Sequence, residues 1–122
     1  MNLKTDYSKL DLCWFAGWWD AEGCIQNNHV NGRTYLHIMG TSTDEDVVRK
    51  IQSKFGGNIR GPYHSATVTG KRAKPRWDWC ISKTREAEIL ALAIRPLVCS
   101  RRQAQIDAKI LAISMAQADD EA

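Results

Sequence analysis

The sequence predicts a single α+β domain in which helices cover one side of a four-stranded antiparallel sheet. Three observations indicate this fold class. The segments run as helix, two strands, helix, two strands and two helices; a hairpin signal joins the first two strands; and polar and apolar residues alternate within the strands. With 122 residues, 43% of them hydrophobic, the chain can bury a core without disulfides. We find no repeated segment or linker, so one domain is expected over residues 1–122.

The first predicted helix runs from Leu10 to Ala21 and is apolar on nearly every side, which is typical of a buried helix. Its apolar run is interrupted by acidic residues and is too short for a bilayer, which needs roughly 20 apolar residues. We therefore expect a core or interface helix and no membrane segment. Small residues four positions apart predict a face that another helix could approach closely. These residues are Cys13, Gly17 and Ala21.

Two strands follow, from Cys24 to His29 and from Thr34 to Thr41. Asn31-Gly32 lies between them and is a strong hairpin signal, because both positions of a tight hairpin turn favour residues that tolerate positive φ. The first sheet pair is therefore predicted to be antiparallel.

A second helix is predicted next, with Ser42 or Thr43 as its N-cap and Glu45 or Asp46 completing a capping box. Gly56-Gly57 ends it. Its apolar face consists of Val47, Val48, Ile51 and Phe55.

The second half of the chain is predicted to contain another pair of strands, followed by two helices. Strands are predicted at about Asn58 to Tyr63 and Arg76 to Ser82, and a third helix opens at Thr84 and stops at Pro96. Ser100 is the candidate cap of the last helix. That helix has an apolar stripe of Ile106, Ile110 and Ile113, and the acidic tail from about 117 to 122 is expected to fray.

Alternation in the strands predicts which side chains face the helices and which face away. The outward face is rich in groups that can pair with base edges in a major groove: amides with adenine, guanidinium with guanine, carboxylate with cytosine. An ordinary solvated polar face is the alternative. The inward residues are Ile25, Leu36, Ile38, Ile59, Trp77, Trp79 and Ile81. The outward residues are Cys24, Gln26, Asn28, Tyr35, His37, Met39, Arg60, Arg76, Asp78 and Cys80.

Basic residues concentrate around the second strand pair. The formal net charge is +3, and it becomes +6 when the three acids of the expected frayed tail are set aside. Segment 58–77 contains five cations and no acidic residue, a distribution expected of a phosphate-binding surface. The alternative is a solvated basic loop. The cations are Arg60, Lys71, Arg72, Lys74 and Arg76.

The cysteines and the N-terminus indicate a reducing compartment. Met1 to Asp11 is polar and does not resemble a signal peptide. The four cysteines are widely separated and never form a C-x-x-C pair, which argues against a zinc knuckle or a redox motif. We therefore expect free thiols and a cytoplasmic protein with access to DNA.

One nine-residue stretch carries the most specific signal. Phe15-Ala16-Gly17-Trp18-Trp19-Asp20-Ala21-Glu22-Gly23 resembles the LAGLIDADG motif of homing endonucleases. The resemblance continues through Thr41-Ser42-Thr43-Asp44 to Phe55-Gly56-Gly57, Trp77-Asp78-Trp79, and Arg95-Pro96-Leu97 to Arg101-Arg102-Gln103. It implies the family's αββαββα fold, with a saddle-shaped sheet whose concave face lies in the DNA major groove.

The resemblance also implies an active site. Glu22, helped by the carbonyl of Ala21, would bind Mg²⁺, with Mn²⁺ as an alternative and Ca²⁺ supporting binding without cleavage. Asp20 would brace the motif turn. Arg101 or Arg102 would stabilise charge at the cleaved phosphate. A polar residue that family members place on the second strand has no clear match here; the nearby residues are Gly40, Thr41 and Ser42.

A single motif implies a homodimer built through the motif helix, acting on a palindromic or near-palindromic site. The implied function is double-stranded DNA cleavage, in the family's role of intron or intein mobility, with no small-molecule cofactor. Two alternatives remain: a catalytically inactive DNA-binding regulator or intron-splicing maturase, and a protein-interaction module that binds no nucleic acid. The residues predicted to contact DNA are the outward face residues together with Lys71, Arg72 and Lys74.

Overall fold

The structure is a computed structural model that describes residues 6–64 and 74–121, with side chains as far as Gln117. Its elements follow the order predicted from the sequence. They are α1 (Lys9–Glu22), β1 (Gly23–Val30), β2 (Arg33–Ser42), α2 (Glu45–Phe55), β3 (Asn58–Tyr63), β4 (Arg76–Ile81), α3 (Thr84–Ile94), a 3₁₀ turn (Arg95–Leu97) and α4 (Ser100–Glu121).

The four strands form one antiparallel sheet in the order β1-β2-β4-β3. Ile25 lies opposite Ile38, and Ile38 lies opposite Ile81, so the inward side chains line up across the sheet. These three residues, with Leu36 and Trp79, are buried, and Ile59 and Trp77 pack against the same core. The predicted inward and outward faces are therefore confirmed. We call the outward one the open face.

The β1–β2 hairpin turns at Asn31 and Gly32, as the sequence predicted. Their φ angles are 52° and 80°. Positive φ at both central residues is the geometry whose twist matches that of two antiparallel strands. The strands each extend a residue or more beyond the predicted limits.

The predicted cap of α2 is wrong. The N-cap is Asp44, whose carboxylate accepts a hydrogen bond from the Asp46 amide at 2.9 Å. Ser42 remains in β2, and its hydroxyl accepts from the Asp44 amide at 3.0 Å. Since β2 continues through Ser42, the chain becomes helical only at Glu45, and the neighbouring aspartate satisfies the free amide of the first turn.

The core lies between the sheet and the helices. On α1, Phe15, Ala16 and Trp19 are buried, and the Phe15 ring lies 4.8 Å from Phe55 and 5.4 Å from Trp79 between centroids. These aromatic contacts join α1 to both α2 and the sheet. The motif helix is thus fixed at its buried face by the largest side chains in the core.

Helices α3 and α4 complete the layer. The 3₁₀ turn containing Pro96 separates them, because proline cannot continue the hydrogen-bond ladder of α3. Helix α4 is assigned through Glu121; the predicted fraying from about residue 117 stays a prediction. Ile106 and Ile113 of its apolar stripe are buried and Ile110 is partly buried. No helix within the described residues is long and apolar enough to cross a membrane.

Candidate active site and nucleic-acid interface

Glu22 is the last residue of α1 and its side chain is exposed. Gly23 follows it directly and begins β1, so the helix passes into the strand without a loop. A Cβ added at Gly23 would collide with the indole ring of Trp19. Glycine therefore permits the backbone to pass close to the buried tryptophan, and Glu22 is presented at the surface immediately above this contact.

Asp20 braces this turn against the start of α4. Its carboxylate accepts hydrogen bonds from the Cys99 amide at 3.1 Å and from the Cys99 thiol at 3.0 Å. The Cys99 side-chain bond is the main reason that the pKa of Asp20 is lowered, with smaller contributions from the Cys99 amide and the charges of Arg102 and Arg101. Asp20 is thus engaged within the chain, while Glu22 two residues later points outward.

The structure separates the two arginines that the sequence could not distinguish. Arg102 is 8% exposed and its guanidinium lies beneath the motif turn. Its Nε donates to the Asp20 carbonyl at 3.1 Å and its Nη2 to the Gly23 carbonyl at 2.8 Å. Arg101 is exposed at the first turn of α4. Of the two, only Arg101 presents its charge to the solvent, so it is the arginine that an external phosphate can reach.

A surface cavity of about 380 Å³ lies beside Glu22. It extends from the end of the motif helix to the end of β2 and the start of β4, so Glu22 adjoins the open face of the sheet. The residues that line it are Trp18, Glu22, Thr41, Ser42, Thr43, Val47 and Arg76.

Gly40, Thr41 and Ser42 are the candidates for the polar residue that LAGLIDADG family members place on the second strand. Each of them contacts another part of the chain. The ring of Trp18 covers Gly40, where an added Cβ would collide with it. Thr41 donates its hydroxyl hydrogen to Asp78 at 2.8 Å, and Ser42 accepts from the Asp44 amide. At each of the two hydroxyl positions, one hydrogen-bonding site is therefore already used within the chain.

A groove of about 670 Å³ runs over the open face. Asn28 lies beside His37, with their side-chain nitrogens 3.0 Å apart, and Arg76 Nε lies 4.0 Å from Asp78 Oδ1. Arg60 on β3 is opposite Asp78 and is exposed. The lining residues are Asn28, His37, Met39, Gly40, Thr41, Arg60, Arg76, Asp78, Trp79, Cys80 and Ser82.

Most of the remaining residues predicted to contact DNA share this face. Gln26 lies opposite His37, Cys24 opposite Met39, and Tyr35 opposite Asn28 in the β1–β2 pairing. Lys74 is exposed just before β4. Lys71 and Arg72 lie outside the described residues. The open face therefore collects the polar side chains that alternation predicted.

The predicted interface stripe of α1 is exposed. Cys13, Gly17 and Ala21 are all exposed, and a Cβ added at Gly17 would have no described atom within 4 Å. Leu10 belongs to the same face and is 83% exposed. Sequence reasoning missed Leu10 as an interface candidate, although its spacing from Cys13 and Gly17 is helical.

The bracing residues Cys99 and Gln105 were also missed. Gln105 accepts from Arg102 Nη1 at 3.0 Å, and Cys99 holds Asp20. Both lie about 80 residues from the motif in sequence, and neither belongs to a recognisable pattern, so only the folded chain brings them to the turn.

The donor set suits a cation that is shared with a substrate. Among the described residues there is no cluster of three or more His, Cys, Asp or Glu side chains that could hold a metal ion. One exposed carboxylate and a nearby backbone carbonyl fit Mg²⁺, which is commonly bound by one or two carboxylates together with substrate phosphates and water. They do not form a closed protein cage.

No protein-family model and no curated protein sequence matches the chain. Solved structures do. The homing endonuclease I-CvuI, in complex with the I-CreI target, matches 89% of this chain and 67% of its own length at 19% identity, with a TM-score of 0.64. The LAGLIDADG meganuclease I-AabMI, bound to uncleaved DNA, matches 89% of this chain and 38% of its own at 17% identity, with a TM-score of 0.67.

The group I intron-encoded homing endonuclease I-CeuI, complexed with DNA, also matches. The match covers 95% of this chain and 59% of I-CeuI at 11% identity, with a TM-score of 0.65. The chain spans about two thirds of I-CvuI and a smaller share of the other two. These likenesses confirm the predicted fold.

Proposed function

Since the chain has the LAGLIDADG homing endonuclease fold, we propose that it is a site-specific double-stranded DNA endonuclease. It acts as a homodimer of single domains spanning residues 1–122, on a palindromic or near-palindromic site and with Mg²⁺. Its place of action is a compartment with access to DNA. The solved structures of similar fold are DNA-bound homing endonucleases, which supports DNA as the substrate class.

The observation that carries the proposal is the position of Glu22. It is an exposed carboxylate at the junction of an exposed helix face and an exposed polar sheet face. A duplex lying on the open face would place its backbone beside the cavity that Glu22 shares with Arg76. A carboxylate next to a polyanion is unfavourable unless a cation lies between them, so this arrangement supports a metal-dependent phosphodiester reaction.

Each residue has a separate part in this mechanism. Glu22 and the Ala21 carbonyl would hold the cation, which when bound lowers the pKa of an attacking water and offsets charge on the phosphate. Arg101, exposed at the first turn of α4, would donate to the phosphate oxygens as negative charge accumulates in the transition state. A cation at a helix N-terminus opposes the helix dipole, which also favours an external anion as its partner.

The exposed face of α1 supports the proposed homodimer. A second copy packed there with two-fold symmetry would bury Leu10 and bring the two small-residue stripes, Cys13, Gly17 and Ala21, into contact. Both Glu22 carboxylates would then lie near the symmetry axis, one for each DNA strand. A symmetric protein pair of this kind reads a symmetric sequence.

The open face would read the target. Gln26, Asn28 and Arg60 carry the amide and guanidinium groups that pair with purine edges in the major groove. Arg76, Lys74 and the basic residues 71 and 72 would neutralise backbone phosphates.

The proposal is tested by selection from a pool of randomised duplex DNA. The protein is bound to the pool in Ca²⁺, the retained DNA is sequenced, and Mg²⁺ is then added to it. Retained palindromes that are cut on both strands support the proposal. Failure to enrich any sequence would contradict DNA recognition by the open face.

Replacing Glu22 by Gln is expected to abolish cleavage while leaving DNA affinity largely unchanged, because the amide keeps the shape and loses the charge that holds the cation. Single-turnover cleavage and a binding titration on the selected sequence measure the two effects. Glu88→Gln, on α3 in the helical layer, is the matched control and should cleave like the unaltered chain. An active Glu22→Gln variant would rule out this assignment.

A second candidate, a DNA-binding protein that no longer cuts, is favoured by one observation. Gly40 has no side chain, and the hydroxyls of Thr41 and Ser42 are bonded to Asp78 and to the Asp44 amide, so no residue clearly matches the polar strand residue of family members. Palindromes that are retained in Ca²⁺ and remain intact in Mg²⁺ would establish this regulator or intron-splicing function instead.

A further inference from the structure

The guanidinium of Arg102 spans the junction between α1 and β1. It donates to the carbonyl of Asp20, before the two candidate metal-binding residues, and to the carbonyl of Gly23, after them. The two residues between those carbonyls are Ala21 and Glu22. A single side chain from α4 therefore fixes both ends of the segment on which the proposed chemistry depends.

The contacts around Arg102 leave little room for another role. Its Nη1 donates to Gln105 at 3.0 Å, and its Cζ lies 4.9 Å from the centre of the Trp19 ring. Its side chain is 10% exposed. Nε, Nη1 and Nη2 each donate to a group of the protein, and little of the guanidinium is exposed, so Arg102 is less accessible to an external phosphate than Arg101.

Electrostatics explain why an arginine suits this position. The last carbonyls of a helix have no partner within the helix and carry partial negative charge. Arg102 supplies a permanent positive charge there, with the Asp20 carboxylate 4.0 Å away. Its planar fork holds two acceptors in a fixed relation, which the flexible point charge of a lysine cannot do.

We propose that Arg102 is a positioning residue that sets the Ala21 carbonyl and the Glu22 carboxylate for divalent-cation binding, without contacting the cation or the DNA. This inference rests on the proposed nuclease function. It assigns to Arg102 a role different from that of Arg101, although the two are adjacent in sequence.

The test is Arg102→Lys, which keeps the charge and loses the fork. Groups that orient metal ligands typically contribute about 10- to 100-fold to metal affinity or activity. We expect the half-saturating Mg²⁺ concentration for cleavage to rise by a factor in that range, with partial recovery of the rate at high Mg²⁺. DNA affinity in EDTA should not change, and the melting temperature in EDTA shows that the variant is folded.

Arg95→Lys is the matched control. Arg95 also forms a fork, at 2.7 and 2.8 Å, but its acceptor is the carboxylate of Asp107 on α4 and not the motif turn. Its Mg²⁺ dependence should equal that of the unaltered chain.

Two results would overturn the inference. One is an Arg102→Lys variant with unchanged Mg²⁺ dependence; the other is a loss of metal-free DNA affinity as large as its loss of cleavage. If Arg102→Lys does not fold, Gln105→Ala decides, since it releases only Nη1: a smaller rise in the Mg²⁺ requirement supports the inference, and no rise overturns it. An unaltered chain that does not cut the selected DNA would instead contradict the proposed function itself.

Discussion

The motif turn and the open face of the sheet differ in how their polar groups are used. At the turn, the Asp20 carboxylate, the Asp20 and Gly23 carbonyls and the Arg102 guanidinium are bonded to one another or to α4. On the open face, Arg60 and Gln26 are exposed, and the internal bonds are few and lie between neighbouring strands. One region is closed by its own hydrogen bonds, and the other leaves donors and acceptors available.

This difference corresponds to the two tasks of the proposed sequence-specific nuclease. Hydrolysis depends on a small number of atoms held in one geometry, which internal bonds provide. Sequence reading depends on many contacts, each of moderate energy, made by side chains that meet the base edges. Changes in the first region should therefore alter folding, assembly or cleavage, and changes in the second should alter binding alone.

The largest expected effect belongs to the exposed face of α1. Gly17→Leu adds a side chain where the described part of the chain leaves open space, so the monomer should fold, but the added bulk would prevent close approach of a second helix. We expect dissociation of the proposed dimer and loss of double-strand cleavage. Light scattering measures the mass. Ala108→Leu changes an exposed residue of α4; it is the control and should remain dimeric. A dimeric Gly17→Leu variant would show that the interface lies elsewhere.

Gly23→Ala should have the next largest effect. The added methyl group collides with Trp19, which is fully buried, so either the ring or the turn must move. Overpacking of this kind typically costs about 1–3 kcal/mol of folding stability. Denaturant unfolding measures it, and cleavage should fall as well because Glu22 is displaced. Gly17→Ala adds the same methyl group within α1 without a collision and should not destabilise the fold. Equal stabilities for the two variants would contradict a tightly constrained turn.

The sequence predicted the side chains of the open face more completely than the contacts of the motif turn. Alternation has a period of two, so it placed Gln26, Arg60 and Arg76 on one face without any knowledge of the strand order. The buried aromatic residues of α1 and the Asn31-Gly32 hairpin followed from equally local rules. Local patterns were sufficient wherever neighbours in sequence decide the structure.

The turn depends on contacts between distant residues. Cys99 and Arg102 meet Asp20 across about 80 positions, and nothing in the sequence distinguishes Arg102 from the exposed Arg101. The predicted cap of α2 was wrong for a related reason. Pairing with β4 sets the length of β2, and that length determines whether Ser42 or Asp44 precedes the helix. Tertiary pairing decided these details.

On the open face, Arg76→Ala should weaken DNA binding and leave stability unchanged. Loss of a base contact typically costs about 1–3 kcal/mol and relaxes one position of the target, whereas loss of a phosphate contact reduces the salt slope by about 1. Binding titrations at several salt concentrations distinguish the two. Arg85→Ala, an exposed arginine on α3, is the matched control. Unchanged DNA affinity for Arg76→Ala would remove this residue from the proposed interface.

The smallest effect is expected at the Arg95–Asp107 pair, a fork that resembles Arg102 in chemistry but lies at the surface. The bond from Arg95 lowers the pKa of Asp107, so the pair stabilises the fold above the usual aspartate pKa of about 4 and loses that contribution as the pH falls through the lowered value. Both side chains are exposed enough for solvent to screen the pair, so the effect should be slight. Melting temperatures of the unaltered chain and of Asp107→Asn should differ slightly at pH 7 and converge as the pH falls through the lowered pKa of Asp107. A difference that did not diminish with falling pH would show that the Asp107 charge is not its source. A difference as large as that of Gly23→Ala would remove the distinction between the enclosed fork and the exposed one.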